Sequence, residues 1–162
     1  KQGVIWDIGS GVGSIGLEAL RISPSLKLVS IDKRIGSKNI LEENARRLGV
    51  KPSLIIEDEA LSVLKGNKIT HDLLHPDRVI IGGGGSSLES IIQAVLKRIN
   101  GFCILIIPLI SLKSLSRIES LLKPKVIRFS ISQHQSYRGI NIGEDIRLSP
   151  LNPVFILKSE LQ

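Results

Sequence analysis

The chain has 162 residues, a formal net charge of +7 and only 3% aromatic residues. That length means one domain over residues 1–162, burying roughly 70% of its unfolded surface; its single cysteine excludes an internal disulfide and points to a reducing compartment, the cytoplasm. No apolar run reaches the ~20 residues that span a bilayer and no signal peptide is visible, while a pI near 9.8 suits a polyanionic partner.

Strands and helices alternate along the chain, which predicts an α/β fold with a doubly wound, mostly parallel sheet. Val4–Ile8 reads as the first strand, and a helix follows from Gly13 to Ile22, where Ser23-Pro24 stops it. Lys27–Asp32 is the second strand. The spacing predicts a helix over Ser37–Leu48, with Ile40, Leu41, Ala45 and Leu48 on one face and Gly49 as the cap. Ser53–Ile56 is the third strand, and Glu59–Leu64 a short helix. Residues 66–76 read as a loop. Asp77–Ile81 is the fourth strand, with four glycines, Gly82–Gly85, directly behind it. A helix from Ser87 to Ile99, a strand over Phe102–Ile107 and a helix over Ser111–Leu122 complete the alternation. The end differs: Val126–Ser132 and Pro153–Leu157 are strands with no helix between them, which predicts a terminal antiparallel pair. Gln133–Gly139 reads as a loop. There is no methionine, even at position 1, so the chain is expected to be processed or excised, with an N-terminal segment or preceding domain missing.

In such sheets ligands bind beyond the carboxyl ends of the strands, at the switch in strand order. Those ends carry the chemistry here. Asp7 closes the first strand and runs into Gly9-Ser10-Gly11-Val12-Gly13. Glycines let backbone N–H groups approach a ligand, and the following helix N-terminus adds partial positive charge. A strand-end carboxylate can hold the amino group of an amino-acid-like cofactor. Asp32 ends the second strand, placed for the hydroxyls of a ribose, with Lys33 beside it. Glu57-Asp58-Glu59-Ala60 follows the third strand, with Glu59 and Ala60 placed for an adenine edge. Gly82 and Gly83 leave room for the reacting group and a second substrate.

Gly11-Val-Gly13-Ser-Ile-Gly16 matches the G-x-G-x-x-G of dinucleotide sites, with Asp32 about 20 residues on. The register opposes that reading. Gly9 and Ser10 separate the strand from the first glycine, and Asp7 would repel a pyrophosphate. Counted from Gly9, the pattern resembles the first motif of class I S-adenosylmethionine (SAM) methyltransferases. His71-Asp-Leu-Leu-His75 imitates a helical zinc motif, but Pro76 truncates any helix and no third ligand is evident, so no metal is expected. Cys103 lies in an apolar run and reads as a structural thiol.

With these positions placed, WDIGSGVGSIGLEAL, IDKRIGSKNILEENARRLGV, IIEDEAL, PDRVIIGGGGSSLESII and the closing NPVFIL resemble the decarboxylating precorrin-6B/6Y C(15)-methyltransferases of cobalamin biosynthesis. The resemblance covers most of residues 4–158, and the IGGGG segment with NPVFIL is its more specific part. It implies a class I, Rossmann-like fold, SAM as methyl donor, and a polycarboxylate tetrapyrrole methylated at C-15 with loss of carbon dioxide. It also implies a homo-oligomer, commonly a tetramer, sometimes fused to a second tetrapyrrole methylase domain. Pro108 stands where the family often has asparagine. Candidate clamps for substrate carboxylates are Lys33, Arg34, Lys113, Arg138 and Arg147; no catalytic acid or base is assigned. The alternatives are a SAM-dependent methyltransferase of RNA, most plausibly tRNA, and a non-catalytic scaffold. Nucleic acid enters only under the first alternative, and glycines stand after strand four where a base-amino methylase would carry an Asn-Pro-Pro-Tyr-like motif.

Overall fold

A computed structural model of the chain describes residues 2–162. Its strands are β1 (Gly3–Ile8), β2 (Leu26–Asp32), β3 (Leu54–Glu57), β4 (Arg78–Ile81), β5 (Cys103–Leu109), β6 (Val126–His134), β7 (Tyr137–Ile142), β8 (Asp145–Pro150) and β9 (Val154–Leu161). Its helices are α1 (Ser14–Ile22), α2 (Ser37–Leu48), α3 (Ala60–Lys65), α4 (Leu88–Leu96) and α5 (Leu112–Leu122). Seven strands form one sheet in the order β3-β2-β1-β4-β5-β9-β6. The first five are parallel, and β9 runs antiparallel between β5 and β6. The mostly parallel sheet with its terminal antiparallel pair is as expected.

The strands are apolar on both faces because both faces are covered. Trp6, Ile8, Val29, Ile31, Val79 and Ile81 pack with Val63, Ile92, Val95 and Ile118 from α3, α4 and α5. Ile5, Leu28 and Ile80 face the other way, onto Leu17, Leu20, Leu41 and Ala45 of α1 and α2. Trp6 is fully buried, and its indole Nε1–H donates to the Leu73 carbonyl oxygen at 2.9 Å. Gly16 lets α1 lie close to the sheet: a Cβ there would stand 2.8 Å from Asp7 Oδ2 and 2.9 Å from Leu28 Cδ1.

Several boundaries and faces differ from expectation. The buried face of α2 is Ser37, Leu41 and Ala45; Ile40 and Leu48 are exposed, because the stripe follows i, i+4, i+8. A 3₁₀ turn, Gly85–Ser87, precedes α4, which ends at Leu96 rather than Ile99. Strand β5 starts after the exposed Phe102 and runs on through Pro108, which lies past the last β4 partner, Ile80 opposite Ile106. Another 3₁₀ turn, His71–Leu73, sits within residues 66–76. The largest departure is β7–β8, an unanticipated two-stranded sheet whose first strand absorbs part of the expected Gln133–Gly139 loop. Among the described residues, no helix is long and apolar enough to cross a membrane.

Candidate active site

The order β3-β2-β1-β4-β5 reverses direction between β1 and β4, the point where two adjacent loops part and a crevice opens. A cleft of about 350 Å³ lies there. Its floor comes from Ile8 at the end of β1, from Gly9 just after it, and from Ile31 at the end of β2. One wall is Asp32, Lys33 and Arg34 with Asp58, Glu59 and Ala60. The opposite wall is Gly82, Gly83 and Gly84 with Ser87 and Ile91.

The floor is held by backbone bonds. The N–H groups of Gly9 and Ser10 both donate to the Ile31 carbonyl oxygen, at 2.8 and 3.1 Å, and Gly82 N–H donates to the Ile8 carbonyl oxygen at 2.8 Å. The two loops touch so closely that a Cβ on Gly82 would stand 3.2 Å from Gly9 O. Gly83 differs: a Cβ there would meet nothing within 4 Å, so it borders open cleft.

Asp32 presents its carboxylate to this space. Its Oδ2 accepts from Gly11 N–H at 2.7 Å and its Oδ1 from Arg34 N–H at 2.9 Å. The Arg34 guanidinium adds Nε to Oδ1 at 3.1 Å and Nη2 to Oδ2 at 3.2 Å. Burial pushes the carboxyl up, but the Arg34 side chain and the two N–H groups outweigh it, so Asp32 sits below its ordinary range and is ionised. Next to it, Asp58 N–H donates to Asp32 O at 2.9 Å, tying the loop after β3 to the end of β2. Asp58 also pairs with Lys68. Glu59 caps α3: its Oε2 accepts from Leu61 N–H at 2.7 Å and Ser62 N–H at 3.2 Å. A ligand edge here therefore meets the 58–60 backbone, with the Glu59 carboxylate engaged elsewhere.

Asp7 is placed differently from the other acids. Only 2% exposed, it does not line the cleft. Its Oδ2 accepts Gly16 N–H at 3.0 Å, behind the glycine loop. Burial pushes its carboxyl up to about 6, Gly16 N–H opposes that, and the charge of Asp32 adds to it. Strand alternation accounts for the orientation: Trp6 and Ile8 point to the α3–α4 side, so Asp7 points to α1.

Of the residues singled out in the sequence, Gly9, Asp32, Lys33, Glu59, Ala60, Gly82 and Gly83 line the cleft together. Gly11 reaches it through its bond to Asp32. Ser10, Val12 and Gly13 shape the loop without lining the cleft: Gly13 N–H donates to Ser10 O at 2.9 Å, and Val12 O accepts from Asn44 Nδ2 at 2.9 Å. The Ser10 hydroxyl is buried with no partner. Gly84, one of the four glycines singled out after β4, also lines the cleft; sequence reasoning missed Ser87 and Ile91, whose signal was the start of the helix behind the glycines. His71 and His75 are apart from the cleft, and among the described residues no cluster of three metal-ligating side chains occurs. Cys103 is buried, and burial pushes its thiol up to about 12, so it is no nucleophile. The cleft thus offers fixed backbone groups, the ionised Asp32 beside the paired Asp58, and open space between glycines, an arrangement that positions reactants.

Comparison with known proteins gives the site its context. The family model of the precorrin methyltransferase domain matches residues 1–159. A Pyrobaculum aerophilum protein named probable cobalt-precorrin-6B C(15)-methyltransferase (decarboxylating) is 33% identical over 159 residues, spanning 97% of this chain and 78% of that protein. The crystal structure of precorrin-6Y C5,15-methyltransferase from Geobacter metallireducens superposes with a TM-score of 0.79 at 22% identity, covering 100% of this chain and 81% of that one. The same fold occurs at 13% identity and a TM-score of 0.66 in M. jannaschii TYW2, solved in complex with AdoMet, with 99% of this chain and 69% of that one covered.

Proposed function

The chain belongs to the precorrin methyltransferase family, and from that premise we propose that it is a SAM-dependent enzyme that methylates a precorrin or cobalt-precorrin at C-15, with decarboxylation, in cobalamin biosynthesis. The observation that carries the cofactor half is the pairing of an ionised Asp32 with an open cleft beside Gly83 at the switch point.

The residues fit the cofactor part by part. Asp32 accepts the ribose hydroxyls. The 58–60 backbone meets the adenine edge, and Lys33 and Ala60 flank it. The loop Gly9-Ser10-Gly11-Val12-Gly13, whose Gly9, Ser10, Gly11 and Gly13 N–H groups hold its own shape, sets the N-terminus of α1 toward the amino-acid end. Asp7, set behind the loop, fixes its shape through Gly16. Gly82 and Gly83 keep the acceptor side clear. When bound, SAM supplies an electrophilic methyl group on sulfur.

What the protein adds is alignment. In-line approach of a nucleophilic carbon is largely a matter of orientation, and the enamine-like ring system supplies the nucleophile, so no activated side chain is needed. Decarboxylation requires the departing carboxylate to be held while its electron pair passes into the ring. Arg34 and Lys33 at the cleft, with Lys113, Arg138 and Arg147, are the cations offered to the acetate and propionate groups. The +7 net charge fits such a polyanion. Residues 1–162 act as one methyltransferase domain in a cytoplasmic homo-oligomer, a tetramer in this reading. Calorimetry tests the cofactor half: SAM should bind saturably and NAD should not. Saturable NAD binding would reverse the assignment of the glycine loop.

A further inference from the structure

An ionised carboxylate has two oxygens and about four lone-pair sites. Asp32 already receives four donors: Gly11 N–H, Arg34 N–H, and Nε and Nη2 of Arg34. Its acceptor capacity is full, so an incoming ribose hydroxyl needs a donor to leave. The two backbone donors belong to the strand-end loops and cannot. The Arg34 side chain can: it is 66% exposed, whereas the Asp32 side chain is 7% exposed. The guanidinium also covers the mouth of the loop, with Nη2 2.6 Å from where a Cβ on Gly11 would be and nothing else within 3.7 Å of that point. Lys33, next in the chain, lines the same cleft and has no carboxylate partner among the described residues.

We propose that Arg34 is a latch, closed on Asp32 in the cofactor-free protein and released by the cofactor's ribose, after which Arg34 and Lys33 together hold a carboxylate of the tetrapyrrole. The inference rests on the cofactor reading above and adds an order of events. Cofactor and polyanion both favour the open position, so each tightens the other by the same factor. That factor cannot exceed the inverse of the open fraction, which is one plus the ratio of closed to open latch. A largely exposed ion pair sets it at about two- to fivefold.

Calorimetry on the wild type and Arg34→Gln tests this, with S-adenosylhomocysteine as the uncharged-sulfur probe and uroporphyrin as the polycarboxylate probe. Circular dichroism checks the fold of the variant, and Arg34→Lys, which keeps charge but loses the fork, is the second variant. Arg34→Gln should bind S-adenosylhomocysteine about two- to fivefold more tightly than wild type, with Arg34→Lys between them. In the wild type, saturating S-adenosylhomocysteine should tighten uroporphyrin binding by a similar factor, and in Arg34→Gln it should not. Failure of the wild type to bind S-adenosylhomocysteine overturns the cofactor reading itself. Wild-type binding with equal or weaker binding by Arg34→Gln overturns the latch alone. Wild-type uroporphyrin binding that is absent or indifferent to S-adenosylhomocysteine overturns the hand-over to substrate.

Discussion

The carbonyl oxygen of Gly9 lies 3.2 Å from the point where a side chain on Gly82 would begin. The loop after β1 and the loop after β4 therefore meet backbone to backbone, and this contact forms one margin of the cleft. One residue further on, Gly83 opens onto empty space. Adjacent glycines thus serve different ends, and substitution separates them. Gly83→Val should fold with near wild-type stability yet lose most SAM affinity, because its methyl groups enter the cleft. Gly82→Val should lose stability as well, since the loops must part. Thermal melts paired with SAM titrations check this; a Gly83→Val protein that binds SAM normally would show that the cleft beside it is not the cofactor site.

Asp32 should carry much of the cofactor affinity. Asp32→Ala removes charged hydrogen bonds to both ribose hydroxyls and should weaken SAM binding by about 1.5–3 kcal/mol. Calorimetry on the folded variant gives the number. Unchanged affinity would remove Asp32 from the ribose site, and with it the reason for reading Arg34 as a latch.

Asp7 makes a prediction about pH. Its carboxyl is pushed up to about 6 from an ordinary 3.8. Between those values the folded protein holds a proton that the unfolded chain has released. The associated stability is fully present below about pH 4 and is lost as pH rises through about 6. At 1.36 kcal/mol per pKa unit the loss is about 3 kcal/mol. Asp7→Asn keeps an oxygen for Gly16 N–H and cannot ionise, so it should gain about that much at pH 7–8 and show a flatter profile between pH 4 and 6. Urea titrations across that range test it. A variant that tracks the wild-type slope would place the titration elsewhere.

Trp6 anchors the core beneath the site through its bond to the Leu73 carbonyl oxygen at 2.9 Å. Trp6→Phe leaves that buried acceptor unpaired and a gap beside the ring. It should lower stability by about 1–3 kcal/mol from the hydrogen bond alone, with more from the gap, while SAM affinity changes little in the folded protein. Denaturant midpoints measured alongside SAM binding separate the two effects.

The parts legible in the sequence were those with strong, repeated signals. Strands β1, β2 and β4 are buried on both faces and read as apolar runs that lead into Asp7 and Gly9, Asp32, and Gly82, while β5 reads as an apolar run alone. Helix α2 announced itself by its period and by Gly49, which caps it at φ 67. The hairpin β7–β8 was hidden because Ile140, Ile142, Ile146 and Leu148 are all exposed, so neither face shows a buried stripe to give the alternation away. At the site, the strand ends pointed to Asp32, Glu59 and Gly82–Gly83, which line one cleft. Side-chain direction was harder. Asp7 turning behind the loop follows from alternation with Trp6 and Ile8, a signal present in the sequence. The closure of Arg34 over Asp32 depends on a long, exposed side chain choosing a partner two residues away, which no pattern of residue types announces.

The central claim is chemical and is tested by one incubation. The protein is mixed with the precorrin-6B-type substrate and methyl-labelled SAM, and the tetrapyrrole, the gas phase and added tRNA are assayed together. The account predicts label on the ring carbon skeleton, one carbon dioxide released per methyl transferred, and no label on tRNA. Labelled tRNA beside an untouched tetrapyrrole would contradict it.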